Sequence, residues 1–298
     1  MRVNPDITVV ADGLAHPEGP AVLPEGGIVF VETFLGQLSV WDSTRGVRPF
    51  ANVGGGPNAC TIGDDGVYVT QTGGSAGPWH AEVRTTPSIQ KVTWDGRVEV
   101  VTVSSSGDPL IAPNDLGFGA DGRLWFTDPG EYDLENPING RVCVIQRDGT
   151  TETVVETGPV FPNGIVGEAD GSILWDESHS RTVRRLTPAG SVELVATVPE
   201  GRVVDGLKPT RDGDIYVTGG GIGGIDVISP HGELIGFVAT GGDALNCVFD
   251  GTDLYVTDFG TVVPSAENGY APAAGRLLRL KVDVPGMPLF RGAIASSQ

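Results

Sequence analysis

Glu18, Asn58, Asn114, Asn163, Asp205 and Asn246 open six copies of one phrase. Each opener is a carboxylate or carboxamide that leads a short apolar stretch, and most copies run on through an acidic residue and a Gly turn into a hydrophobic strand. Asn114-Asp-Leu-Gly-Phe-Gly-Ala-Asp-Gly-Arg-Leu-Trp-Phe-Thr shows the pattern, and Asp205-Gly-Leu-Lys-Pro-Thr-Arg-Asp-Gly-Asp-Ile-Tyr-Val-Thr repeats it. No sulfur or imidazole occupies an opener. Such an oxygen-only set suits Ca²⁺, Mg²⁺ or Mn²⁺ better than Cu or a structural Zn site. Glu18 and Asp205, brought close together, would repel unless a cation lay between them. A lone Asn-Gly is an ordinary turn signal; six openers in register point to a shared site.

The elements that must position these side chains follow from the spacing. A turn glycine lies eight residues after the opener in five copies (Gly26, Gly66, Gly122, Gly171, Gly213) and five after it in the sixth (Gly251). Successive openers are 40, 56, 49, 42 and 41 residues apart. A period of that length with about four strands per unit is the signature of β-propeller blades. The third unit predicts strands over 114–118, 124–127, 141–146 and 151–156, with loops at 73–87, 104–112 and 129–139 absorbing the longer spacings. The 45 Gly and 22 Pro keep elements short, and no stretch over ten residues carries a 3.6-residue apolar period. The chain reads as an all-β, six-bladed β-propeller of four-stranded antiparallel blades, one domain over 1–298. Ring closure is expected from a strand around Ile7–Val10 joining the blade completed by Arg276–Val282. Because first strands line a propeller's channel, the openers should converge at one end of it.

A net charge of −19, from 38 acidic and 19 basic residues, argues against nucleic acid or an anionic membrane as partner. The N-terminal residues lack an apolar leader core, and no segment reaches the length of a spanning helix. Cys60, Cys143 and Cys247 fall at strand-like positions and read as reduced core residues of a cytoplasmic protein. Monomer is the default assembly, with homodimer as the alternative.

His16-Pro-Glu-Gly-Pro20, Gly54-Gly-Gly-Pro-Asn58, Pro113-Asn-Asp-Leu116, Pro162-Asn-Gly-Ile165, Val204-Asp-Gly-Leu207 and Asn246-Cys-Val-Phe249 occur in order over nearly the whole chain. This set resembles the motifs of the gluconolactonase, senescence-marker-protein and luciferin-regenerating-enzyme family. The resemblance implies one divalent cation, Ca²⁺ first with Mg²⁺, Mn²⁺ or Zn²⁺ as alternatives, held by Glu18, Asn163 and Asp205. Asn114 matches a position that touches metal or substrate in different members. It also implies hydrolysis of a small lactone, with the cation polarising the carbonyl and Asp205 a ligand that could also serve as base. Asn58 and Asn246 are expected to face the substrate or brace the channel. Animal-type sugar lactonases carry an Arg where this chain has Ala112, which weakens the case for a simple aldonolactone. Glu131, Tyr132, Trp79 and His80 are further substrate-contact candidates, the last two on a loop that could close over a ligand. Phe34 is another aromatic candidate, Trp175 reads as packing, and His16 could reach the site by strand alternation with Glu18. No Gly-x-Ser-x-Gly elbow supports a Ser-His-Asp triad. Phosphotriester hydrolysis on the same site and a non-catalytic binding propeller are the alternative functions.

Overall fold

A computed structural model describes residues 2–3, 6–220, 223–260 and 274–295. Six antiparallel sheets follow one another along the chain. The first blade comprises Pro17–Val22, Ile28–Glu32, Gln37–Asp42 and Gly46–Asn52, and the second Pro57–Ile62, Val67–Gln71, Ser88–Val92 and Val98–Thr102. The third comprises Leu116–Phe118, Leu124–Asp128, Gly140–Ile145 and Thr151–Gly158, close to the strands expected for it. The fourth runs Pro162–Gly167, Ile173–Glu177, Thr182–Leu186 and Val192–Thr197; the fifth Leu207–Pro209, Ile215–Gly219, Gly224–Ile228 and Leu234–Ala239. The sixth takes Ala244–Asp250, Asp253–Asp258 and Gly275–Lys281 from one end of the chain and Ile7–Leu14 from the other. That last strand pairs antiparallel with Gly275–Lys281, Ile7 against Leu280 and Val9 against Leu278, and closes the ring as expected. Arg2–Val3 adds a parallel strand to the outer edge of the fifth blade. The molecule is a six-bladed β-propeller, and its only helix among the described residues is a single 3-10 turn at Thr33–Leu35.

Burial explains the composition of each strand. The second strands of the first four blades are buried at every residue, because both faces pack on neighbouring blades, so they read as continuous apolar runs. The outer strand Thr151–Gly158 alternates between exposed and half-buried residues, since one of its faces meets water. Six apolar clusters result, each shared between two adjacent blades. Cys60, Cys143 and Cys247 are free thiols buried within three of them.

Small residues behind the openers let the first strands approach the axis. A Cβ on Gly206 would lie 2.4 Å from Asn246 Cγ, and one on Gly164 would lie 2.6 Å from the Asp205 carbonyl oxygen. Asn163-Gly164 therefore sits within a strand and is not the turn that the dipeptide alone suggests. The far end of the channel is covered by residues 283–295, which bridge Thr210 to Gly286 and Phe118 to Phe290.

Candidate functional site

The openers stand at or just before the start of the first strands, at one end of the ring. Glu18, Asn58, Asn114, Asn163 and Asp205 line one cavity of about 670 Å³. Asn246 does not. Its amide nitrogen donates to Asp115 Oδ2 at 3.2 Å and its oxygen accepts from Lys208 Nζ at 3.4 Å, which draws it down into the channel.

Hydroxyl groups lock the openers in place from the preceding blade. Thr70 Oγ1 donates to the Asn114 carbonyl at 2.5 Å and Thr127 Oγ1 to that of Asn163 at 2.7 Å. Ser178 Oγ donates to the Val204 carbonyl at 2.7 Å, and Thr218 Oγ1 to that of Leu245 at 2.6 Å. Thr257 Oγ1, in the last blade, lies within 3.2 Å of both Glu18 Oε2 and the Asn246 carbonyl. A second set of acceptors holds the segments that lead into the openers. Glu32 Oε2 accepts from Ala15 N at 3.0 Å, Gln71 Oε1 from Gly56 N at 2.7 Å and Asp128 Oδ1 from Ala112 N at 2.8 Å.

The donor set can be tested against a hard cation from the protein atoms alone. Asn163 Nδ2 donates to Ser178 Oγ at 3.1 Å, which fixes the amide and leaves Asn163 Oδ1 buried without a partner. Asn114 Oδ1 is likewise buried and unpartnered. Orphaned buried oxygens are costly unless something else satisfies them. Glu18 is 2 % exposed, and its Oε2 accepts from Gly19 N at 2.7 Å. Burial, then the charges of Asp205 and Asp115, holds the Glu18 carboxyl well above the usual carboxylate range. Burial and then Asp115 push Asp205 up to about 8. Two carboxyls that resist ionising and two spare amide oxygens are what a divalent cation would satisfy together. Among the described residues no group of three or more His, Cys, Asp and Glu side chains gathers at metal-binding spacing, so a cation at this cavity would rely on the amides to complete its shell.

Beneath these groups lies a charged floor that the repeat did not disclose. Lys208 Nζ is 4.0 Å from Asp115 Oδ2, and both side chains are buried. Asp115 Oδ1 accepts from Leu116 N at 2.7 Å. Asp176, fully buried, accepts from Gly164 N at 3.2 Å through Oδ1 and has no partner at Oδ2. Burial, then Asp205 and Asp115, raises its carboxyl well above the ordinary value. The available signal was the appearance of Asp115, Asp176 and Lys208 where strand neighbours are apolar.

The remaining sequence candidates divide. Ala112, Glu131, Tyr132 and His80 line the cavity, with Glu131 exposed at its rim 3.6 Å from Arg84. Trp79 does not line it: its ring is 5 % exposed and stacks behind Phe34 at 4.7 Å, on a short hairpin with Ser75–Ala76. Trp175 is core, its Nε1 donating to Glu177 Oε1 at 3.2 Å. His16 does reach the cavity, from left-handed backbone ahead of the strand and not by strand alternation. His179 and Phe161 join Tyr132 in an aromatic group on the other side, and only Tyr132 of these was anticipated.

Residues 16–259 match the family model described as SMP-30/Gluconolactonase/LRE-like region. A gluconolactonase from Zymomonas mobilis is 25% identical, the match covering 88% of this chain and 82% of that protein. Among solved structures, a gluconolactonase from Xanthomonas campestris superposes with a TM-score of 0.71 at 20% identity, covering 94% of this chain and 89% of that one. A calcium-binding regucalcin from Agrobacterium tumefaciens does so with a TM-score of 0.76 at 17% identity and 99% coverage of both chains.

Proposed function

The chain belongs to the SMP-30/gluconolactonase/LRE-like family, and on that premise we propose that it hydrolyses a lactone to its hydroxy acid with the help of one divalent cation. The observation that carries this reading is the meeting of Glu18 and Asp205 with the unpartnered Oδ1 atoms of Asn114 and Asn163 at a single cavity. Those four residues would hold the cation, Ca²⁺ being the first choice for an all-oxygen set. Among the relatives, one is a gluconolactonase and another a calcium-binding protein, which supports both halves of the reading. When bound, the cation supplies Lewis-acid polarisation of an ester carbonyl and acidifies a nearby water.

The protein's own groups do the rest. Glu18, fixed by Gly19 N and Thr257 Oγ1, and Asn163, fixed by Ser178, provide a site that need not reorganise during reaction. Asp205 accepts a proton at a carboxylate oxygen as water oxygen bonds to the lactone carbonyl carbon. The ring C–O bond then breaks, and the departing oxygen takes the proton held by Asp205, which gives the hydroxy acid and restores the carboxylate. Asn58 stays near the substrate side of the cavity while its Nδ2 braces the Asn114 carbonyl at 3.2 Å.

A pH-indicator assay on a panel of lactones tests this, with Ca²⁺, Mg²⁺, Mn²⁺ or Zn²⁺ supplied. Acid release by the wild type should exceed that of Glu18→Gln or Asp205→Asn by at least about a hundredfold, the scale of a lost catalytic group. Equal rates in all three proteins would sink the mechanism.

A further inference from the structure

Two aromatic walls flank the cavity, and one ring in each sits on strained backbone. His16 (φ 60°) and Phe161 (φ 55°) are non-glycine residues with left-handed backbone, and each lies two positions ahead of an opener, Glu18 and Asn163. Such backbone is unfavourable for a residue with a Cβ, and it persists where surroundings over-determine it, often at ligand clamps. The His16 ring packs on Phe34 and Phe259 with centroids 4.8 and 4.6 Å away. Across the ring of blades, Phe161 packs on Tyr132 at 4.9 Å and on His179 at 5.3 Å. His16, Phe259, Tyr132 and Phe161 all line the cavity.

The rest of the lining speaks to charge and polarity. Among the described residues no Lys or Arg contributes to it, while Glu131, Asp133 and Asp243 add acidic groups to Glu18 and Asp205. Glu131 lies 3.6 Å from Arg84, but an anionic substrate inside the cavity would meet carboxylates with no Lys or Arg in the described lining to receive it. Three neutral side chains of the lining are engaged within the protein: Asn58 with the Asn114 carbonyl, Ser178 with that of Val204, and Thr72 Oγ1 with those of Gly56 and Ser75. A volume of about 670 Å³ falls in the range of drug-sized ligands.

We propose that the substrate is an uncharged lactone carrying an aryl or extended apolar substituent, gripped between the His16–Phe259 and Tyr132–Phe161 walls, and that anionic lactones are excluded. This rests on the lactone-opening reading above and specifies its substrate class.

The test compares kcat/KM of the cation-loaded full chain on γ-phenyl-γ-butyrolactone, glucono-δ-lactone and 6-phosphoglucono-δ-lactone. The phenyl lactone should lead and the phosphorylated one should be slowest. Phe161→Gly, which left-handed backbone tolerates, should lower the phenyl-to-glucono ratio about tenfold, chiefly through KM, as expected for one lost aromatic contact. Calorimetry with the unreactive phenyl-substituted γ-lactam should show a matching loss of affinity. Tyr132→Ala, at the exposed rim, is the second variant and should act in the same direction. A wild-type preference for the glucono or phosphorylated lactone, or an unchanged ratio and lactam affinity in both variants, would overturn the clamp while leaving lactone hydrolysis standing. Lactam binding that depends on Phe161 without turnover of any lactone would uphold the clamp and overturn the hydrolase reading.

Discussion

Glu18, Asp205 and Asp176 share one electrostatic problem, and its sign can be followed into stability. All three carboxyls are raised by burial first and by neighbouring carboxylates second. A carboxyl whose folded value exceeds its unfolded one keeps its proton longer in the folded state. It therefore favours folding below the unfolded value, and that contribution is lost as pH rises through the folded value. For Asp205 the window runs from 3.8 to about 8. In chelator, the melting temperature should fall as pH is raised from 5 to 8. With Ca²⁺ added the trend should flatten or reverse, because ionised carboxylates bind the cation and binding to the folded state alone stabilises it. Asp205→Asn should raise the chelated protein's melting temperature at pH 8 and abolish the response to Ca²⁺. Melting curves at several pH values decide this, and a wild-type profile indifferent to both pH and cation would remove the electrostatic case for the site.

At the scale of the strand, five of the six openers, all but Asn58, are held by a hydroxyl from the preceding blade, at the opener itself or at the residue before it. Thr218 shows the arrangement most fully, donating to the Leu245 carbonyl at 2.6 Å and accepting from Gly206 N at 2.8 Å. Thr218→Val keeps the shape but leaves a buried N–H and a carbonyl unpaired, at a cost of about 1–3 kcal/mol. Chemical denaturation should show that loss, with weakened cation binding because Gly206 follows Asp205 directly. A change within about 0.5 kcal/mol, the range of an ordinary surface substitution, would show that the latch contributes nothing. The same elements explain what the sequence could disclose. The openers, the turn glycines and the third blade's strands obey a period, so one copy predicts the next. The latch is visible afterwards as Thr70, Thr127, Thr218 and Thr257 in matching strand positions, yet its partners lie in other blades. Asn246 meets Asp115 across 131 residues, and Thr257 meets Glu18 across 239. No local pattern encodes such pairs, which is why the Asp115–Lys208 floor, Asp176 and the Phe161 wall emerged only from the fold. Asn246 and Trp79 show the converse: repeat position and loop length placed them near the cavity, while their own partners hold them away from it.

For the whole molecule, closure joins strands from opposite ends of the chain and makes the site a property of the complete ring. Glu18 belongs to the first blade, and Thr257, its hydroxyl partner, to the last. The closing strand Ile7–Leu14 supplies Leu14, Val10 and Ala11 to the apolar cluster between those two blades. At the far end, Ile294 N donates to the Tyr68 hydroxyl at 2.9 Å, tying the covering segment to the second blade. A chain built this way is expected to melt as one cooperative unit over residues 1–298. Deleting residues 1–13 would uncover the edge Gly275–Lys281, whose unpaired backbone is a template for other chains. The deletion should lower the melting temperature, broaden the transition and produce concentration-dependent aggregates in light scattering. The Ca²⁺ response should weaken with it, because Glu18 and Thr257 are no longer held in register. Adding a synthetic peptide of residues 6–15 should restore part of both losses by refilling the edge. A truncated protein that stays monodisperse, melts like the full chain and keeps its cation response would show that the ring, and the site with it, is secured by the remaining blades alone.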